Sequence, residues 1–132
     1  SFATAGVNSG LFCSTPMVAL SRNVPRKQAM EMLLLGEFQP AAKAMEMGLI
    51  NQVVPEAELS AATRAMAAKI VSKAPVAVKI GKRAFFEQAD MGRAEAYAYT
   101  GAVMAENMLA RDTERGINAF IAKKPMPEWV DD

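Results

Sequence analysis

Few side chains in this sequence are equipped to move a proton or hold a metal. Its 132 residues include no His and a single Cys, Cys13. Without His there is no imidazole base, no Ser-His-Asp triad and none of the commonest metal ligand. One Cys closes no disulfide and builds no Cys-based zinc site within the chain. With no His to activate it, Cys13 reads as a small buried hydrophobe rather than a nucleophile. The acids Glu31, Glu37 and Glu46 fall at surface-compatible positions of helical stretches, and nothing pairs them as acid and base. What remains is Ser1–Pro16, SFATAGVNSGLFCSTP, rich in Gly, Ser and Thr and without a charged side chain. Gly6 and Gly10 permit backbone conformations closed to other residues. Asn8, Ser9 and Ser14 can hydrogen-bond a water or a ligand, although in turns such side chains usually satisfy their own backbone. The segment is expected to form a turn that another group can approach closely.

The basic residues are less specific. Arg22, Arg26 and Lys27 cluster near a helix start, and Lys79, Lys82 and Arg83 lie together on one stretch; a solvated face is the ordinary reading of both. Near the end of the chain Phe120 shares a core-like stripe with Ile117 and Ile121, and Lys123 and Lys124 suit a helix C-terminus. Fifteen Lys and Arg against 14 Asp and Glu give a net charge of +1. That balance favours neither nucleic acid nor an anionic membrane as partner. The apolar runs fall short of the roughly 20 residues that span a bilayer. A hydrophobic fraction of 52% excludes disorder. The ten Met residues suggest adaptable packing.

The elements that would position these residues are mostly helical. Phe2–Thr4 reads as a strand end running into the Gly-rich turn. Met17–Asn23 is a short helix with Pro16 in its first turn, and Pro25 restarts the chain. Arg26–Leu35 carries Ala29, Met30, Leu33 and Leu34 at helical spacing and stops at Gly36. Pro40–Met47 is the next helix, ended by Gly48. Leu49–Val54, LINQVV, is the best strand candidate, closed by Pro55. Glu58–Lys73 is a long helix with Leu59, Ala62, Met66 and Ile70 on one face. Pro75 opens a helix to about Gln88 with Val76, Ile80 and Ala84 aligned. Gly92–Ala110 is Ala-rich and helical. Asp112 resembles an N-cap, and a last helix runs to Lys124, before Pro125. One strand cannot make a sheet. Together with a start at Ser1-Phe2 rather than Met, this leads us to expect a fragment of a longer protein.

A succession of motifs then carries a resemblance along essentially all 132 residues. It runs F-x-x-x-G-V-N-S-G-L-F, VPRKQAMEMLLLGE, AAKAMEMGLINQVVP, a long helix, AP, and GINAFIAKK. The sequence resembles the C-terminal half of the crotonase superfamily, the enoyl-CoA hydratase/isomerase proteins. It is most similar to the enoyl-CoA hydratase domain-containing subgroup and to bacterial relatives sharing GLFCSTP. The resemblance implies an α/β crotonase (ClpP/crotonase-like) fold in the parent, of which this chain is the mostly α-helical C-terminal part with one or two short strands. Residues 1–55 would form the end of the spiral core, the acyl-pocket turn and the following helices, and residues 56–132 the helical trimerisation region.

For function the resemblance implies an acyl-CoA substrate, with coenzyme A as part of that substrate and no separate cofactor or metal. It implies a missing N-terminal half that holds the oxyanion hole, and a homotrimer or hexamer, with no nucleic-acid or membrane partner. The compartment would be the cytoplasm in a bacterium and the mitochondrion in a eukaryote. Gly6, Phe12 and Cys13 would line the acyl pocket, and Phe120 and Lys123, in the A-F-x-x-K pattern, would contact CoA. No catalytic residue is identified. In the family pattern F-x-x-P-E a glutamate follows the Phe by four residues; here Phe2 leads to Gly6, which cannot transfer a proton. A full-length hydratase/isomerase lacking its second acid is therefore the leading expectation. A CoA-thioester decarboxylase or hydrolase, a non-catalytic CoA-binding or assembly protein, and an autonomous helical interaction module stand beside it. The 132-residue chain alone should be inactive.

Overall fold

Proline and the residue before it divide the chain, because a residue preceding Pro is pushed out of the helical region. Val24, at φ −117° and ψ 142°, separates α1 (Ser14–Asn23) from α2 (Arg26–Leu35) ahead of Pro25. Ala74 likewise separates α4 (Leu59–Val71) from α5 (Pro75–Gln88), with Pro75 in the first turn of α5. Between them lies α3 (Ala41–Glu46), and after them α6 (Arg93–Met108) and α7 (Arg111–Ile121). Two short 3₁₀ turns, Ala5–Ser9 and Glu56–Glu58, complete the order. The computed structural model describes residues 1–130. The chain divides into two compact units, Ser1–Leu59 and Ser60–Asp132.

The first unit has a small apolar core. Leu20 and Val24 from α1, Ala29, Met32 and Leu33 from α2, and Met47 after α3 are buried, with Cys13, Met17 and Leu49 packed against them. The inward face of α2 is therefore Ala29, Met32 and Leu33. Met30 and Leu34, expected inside with Ala29 and Leu33, are 48% and 56% exposed. The buried face is turned toward Met32, which the spacing Ala29, Met30, Leu33, Leu34 does not include, and α2 presents a second apolar row to the outside. The N-terminal segment is fastened to α2 by polar contacts. The Thr4 hydroxyl donates to the Met32 carbonyl at 2.9 Å, and the Asn8 amide donates to the Gly36 carbonyl at 3.1 Å. Phe2 and Gln39 exchange backbone hydrogen bonds at 2.9 and 2.7 Å.

That pair is an isolated antiparallel bridge, and the one or two strands expected from the sequence do not form among the described residues. LINQVV is turn and irregular backbone. Its β-branched composition suits a strand, but no neighbouring strand is available to complete a ladder. Its first residues close α3 instead: Leu49 N–H reaches the Ala44 carbonyl at 2.9 Å and Gly48 N–H the Met45 carbonyl at 3.0 Å.

In the second unit α5 packs against α6, and along α5 Ala84 is buried and Val76 and Ile80 are half-buried. Arg83 of α5 meets Glu106 of α6 at 3.1 Å, and the Tyr99 hydroxyl of α6 donates to the Glu87 carboxylate of α5. Asp112 departs from its expected role. The N-cap of α7 is Ala110, and Asp112 lies in the first turn, completely buried. Both its carboxylate oxygens accept from the Val130 N–H at 3.0 Å, and Oδ1 accepts from Arg115 at 3.4 Å. A carboxylate in the first turn also complements the helix dipole. The tail is thereby laid back along the unit. The Trp129 indole N–H donates to the Ser72 carbonyl at 2.9 Å, and its ring lies against Gly116, where a Cβ would meet two ring carbons at 3.3 Å.

α7 also ends three residues before the expected Lys124. Lys124 N–H bonds the Ala119 carbonyl at 2.9 Å and Lys123 N–H the Phe120 carbonyl at 3.1 Å. This is a Schellman closure with Lys123 in the left-handed position, at φ 51°.

Candidate functional site

The residues singled out for binding fall into two groups, one in each unit. In the first, the 3₁₀ turn Ala5–Ser9 closes on itself: Leu11 N–H bonds the Gly6 carbonyl at 3.0 Å and Gly10 N–H the Val7 carbonyl at 3.1 Å. That closure folds the following segment back over Gly6. A Cβ on Gly6 would lie 2.5 Å from the Leu11 carbonyl oxygen and 2.7 Å from the Cys13 sulfur, inside any real contact distance. Gly6 is required by this close approach, not by its own dihedral angles, since its φ is not among the positive values. Its N–H donates to Cys13 Sγ at 3.3 Å. The thiol is thus a weak acceptor in the turn, half-buried beside the core.

Phe12, between Leu11 and Cys13, is 38% exposed. Asn8, weighed as a ligand contact, is the clamp on Gly36, whose own backbone leaves no room for a side chain facing Val7 and Asn8. The Ser14 hydroxyl makes a long bond of 3.4 Å to the Phe12 carbonyl. The turn therefore brings Gly6 and Cys13 into contact and leaves Phe12 at the surface next to them. It contains no Asp, Glu, Lys, Arg or His side chain.

The second group is the end of α7. Phe120 is 73% exposed, and Lys123 follows it on the same closure. The same Schellman pattern occurs at Gly10 and at Gly48, both with glycine in the left-handed position. At the third such position the sequence places Lys123. A side chain in that conformation costs on the order of 1–2 kcal/mol relative to the right-handed region. The helix end accordingly carries an exposed lysine on a mildly strained backbone, three residues after an exposed aromatic. Spacing rules missed this because they expect Gly or Asn at a helix stop. They also missed the Asp112–Val130 clasp, for which the only clue was an acid at the start of α7.

Two titrating groups are displaced, the exposed Arg83 and the half-buried Tyr99. The hydrogen bond to Glu106, and then its charge, raises the Arg83 guanidinium above its ordinary value. The hydrogen bond to Glu87 raises the Tyr99 phenol, with desolvation and the Glu87 charge adding to it. Neither adjoins a candidate binding residue in sequence. Among the described residues no cluster of His, Cys, Asp and Glu could hold a metal ion, and no helix is long and apolar enough to cross a membrane.

Comparison with known proteins identifies the frame that carries these two regions. Residues 1–132 match the family model described as Enoyl-CoA hydratase/isomerase. The chain is 49% identical over 129 residues to human enoyl-CoA hydratase domain-containing protein 3, mitochondrial, covering 98% of this chain and 42% of the human protein. The Xenopus laevis protein of the same name is 46% identical, with 98% of this chain and 44% of that protein covered. Among solved structures, an enoyl-CoA hydratase from Mycobacterium smegmatis superposes with a TM-score of 0.93 at 48% identity, over 97% of this chain and 49% of that one. The human enoyl coenzyme A hydratase domain-containing protein 3 superposes with a TM-score of 0.90 at 48% identity, over 97% and 50% respectively. The chain spans less than half the length of these curated relatives. Its helices correspond to the mostly helical C-terminal part of a crotonase fold. The chain belongs to the enoyl-CoA hydratase/isomerase family.

Proposed function

We propose that the full-length protein binds acyl-CoA thioesters in a crotonase-type site without using a second carboxylic acid from the Gly6 turn. The observation that carries this reading is the packing at Gly6. The Leu11 carbonyl and Cys13 sulfur occupy the space a side chain would need, so this loop conformation accommodates no acid there. A positioned acid or base is worth about 10²–10⁴ in rate. Adding water across an enoyl double bond by two glutamates would accordingly be crippled. Binding and polarising the thioester needs only preorganised donors aimed at its oxygen, which the resemblance assigns to the other half of the fold. CoA-thioester decarboxylation or hydrolysis remains compatible with that arrangement, and so does a non-catalytic CoA-binding or assembly role.

In this reading Gly6, Phe12 and Cys13 border the acyl group. Phe120 and Lys123 meet the CoA nucleotide, the ring by stacking and the ammonium as a point charge for phosphate. A homotrimer or hexamer is the proposed assembly. The site of action is the mitochondrion where the host is a eukaryote, as the names of the vertebrate relatives state for them, and the cytoplasm in a bacterium.

The test is acyl-CoA binding and crotonyl-CoA hydration by the full-length protein. We expect saturable binding with hydration far below ordinary hydratase rates; hydration at those rates overturns the Gly6 reading. Lys123→Ala should weaken CoA binding about tenfold, equivalent to ~1.4 kcal/mol, and leave assembly intact. Lys123→Gly should weaken it equally while raising stability by about 1 kcal/mol, because glycine carries no penalty in the left-handed position. Unchanged affinity in both variants returns Lys123 to a plain helix-end residue.

A further inference from the structure

The basic stretch Lys79, Lys82 and Arg83 has no part in either candidate region, and it borders a groove. The groove lies within the second unit, between the end of α4 and one face of α5, with a volume of about 640 Å³. Small-molecule sites typically occupy roughly 300–1,000 Å³. Its floor is apolar: Ile70, Val71, Pro75, Val78 and Phe86. Three of these, Ile70, Val71 and Phe86, are 54%, 79% and 66% exposed, which is unusual for neighbouring large hydrophobes. Around the floor stand Lys73, Lys79, Lys82 and Arg83, and no acid lines the groove. Arg83 is engaged by Glu106 at 3.1 Å. No described acid pairs with the three lysines.

The lining recognises two properties only, an apolar body and a negative charge. It contains no amide, hydroxyl or carboxylate side chain that would read the backbone of a bound peptide. Lysine stems lie along apolar surface while their ammonium groups stay in water, so the rim can close over an aliphatic tail and still meet an anionic head. From Pro75 to Phe86 the α5 face runs roughly 16 Å at the rise of an α-helix, a length matching an extended medium-length aliphatic chain.

We propose that this groove binds a single-chain aliphatic carboxylate of the fatty-acid class. The tail lies along α5 between Val78 and Phe86, and the head group sits among Lys73, Lys79 and Lys82. Such a site is separate from the Gly6 turn and from the end of α7, and it does not depend on the proposed acyl-CoA role.

The probe is dodecanoate, titrated calorimetrically into the full-length protein below its micelle concentration. We expect one saturable site whose affinity falls as salt is raised, because exposed charges are screened. The paired substitution Lys79→Ala and Lys82→Ala should weaken binding by about 3- to 10-fold, the scale of two exposed ion contacts. These are surface lysines, so an unchanged melting temperature confirms that the variant is folded. Val78→Asp should abolish binding, and dodecanol and butanoate should bind at least tenfold more weakly than dodecanoate. The proposal fails if dodecanoate does not saturate, if dodecanol binds equally well, or if the double variant binds like the parent. Absence of saturation in the parent, together with a Val78→Asp variant that melts lower or loses self-association, would mean that another segment or a second copy covers the groove.

Discussion

At residue scale the chain is organised by side chains that are absent or out of place. Gly6 is the clearest. Its lack of a Cβ lets the Leu11 carbonyl and the Cys13 thiol approach within distances no other residue tolerates. Gly6→Ala should therefore cost about 1–3 kcal/mol, as overpacking does in a filled site. The melting temperature of the full-length protein would register it; an unchanged value would mean that the turn is looser than its contacts imply. The same crowding explains why Gly6→Glu is a poor way to restore an acid, since it displaces the loop it is meant to equip. The sequence exposed Gly6 only through the family pattern. Its physical reason was hidden, because it lies in a through-space contact with a carbonyl five residues on. Lys123 was hidden for the opposite reason. A helix stop is legible when glycine marks it, and here a lysine holds the left-handed position.

Helices bracketed by proline and glycine were the most legible elements. Arg26–Leu35 and Pro75–Gln88 appear at their expected bounds, because Pro25, Gly36 and Pro75 act through local sterics alone. LINQVV was misread because a strand depends on a partner, and no composition supplies one. Asp112 was misread because an N-cap and a buried tail clasp put the same residue type at nearly the same position. Its role can be tested directly. Asp112→Ala removes an acceptor from the Val130 N–H and from Arg115, and should loosen the tail by about 1–3 kcal/mol. Faster exchange of the Val130 amide and a red-shifted Trp129 emission would report it, with Asp112→Asn in between; unaltered emission would show that Trp129 is held by other contacts.

The link between α5 and α6 has a pH signature. The Tyr99 phenol is raised above its ordinary value of 10.0 by donating to Glu87. The stabilisation it provides is thus fully present below about pH 10 and lost as pH rises through the raised value. Difference titration of phenolate absorbance between the parent and Tyr99→Phe should place Tyr99 above the ordinary range, and Glu87→Gln should bring it back.

At the scale of the whole molecule, what the chain leaves uncovered is as informative as what it buries. The first unit buries a small core, yet leaves Leu11, Leu34 and Phe38 at 70%, 56% and 72% exposure. In the second unit Ala84 is the one buried hydrophobic residue described, while Leu109, Phe85 and Ile121 are 87%, 65% and 72% exposed. Outside the groove along α5, apolar surface on this scale marks contact with other protein. The curated relatives carry further sequence beyond the match with these residues. Produced alone, residues 1–132 should therefore bind a hydrophobic dye, self-associate with concentration and show no acyl-CoA turnover. Co-production with the part of a curated relative that lies outside the match should suppress both dye binding and self-association. Sedimentation velocity with and without that partner segment separates the outcomes. A monodisperse, dye-silent monomer from residues 1–132 alone would instead make the chain an autonomous helical module. Its exposed faces would then be binding surfaces in their own right rather than surfaces awaiting the rest of the fold.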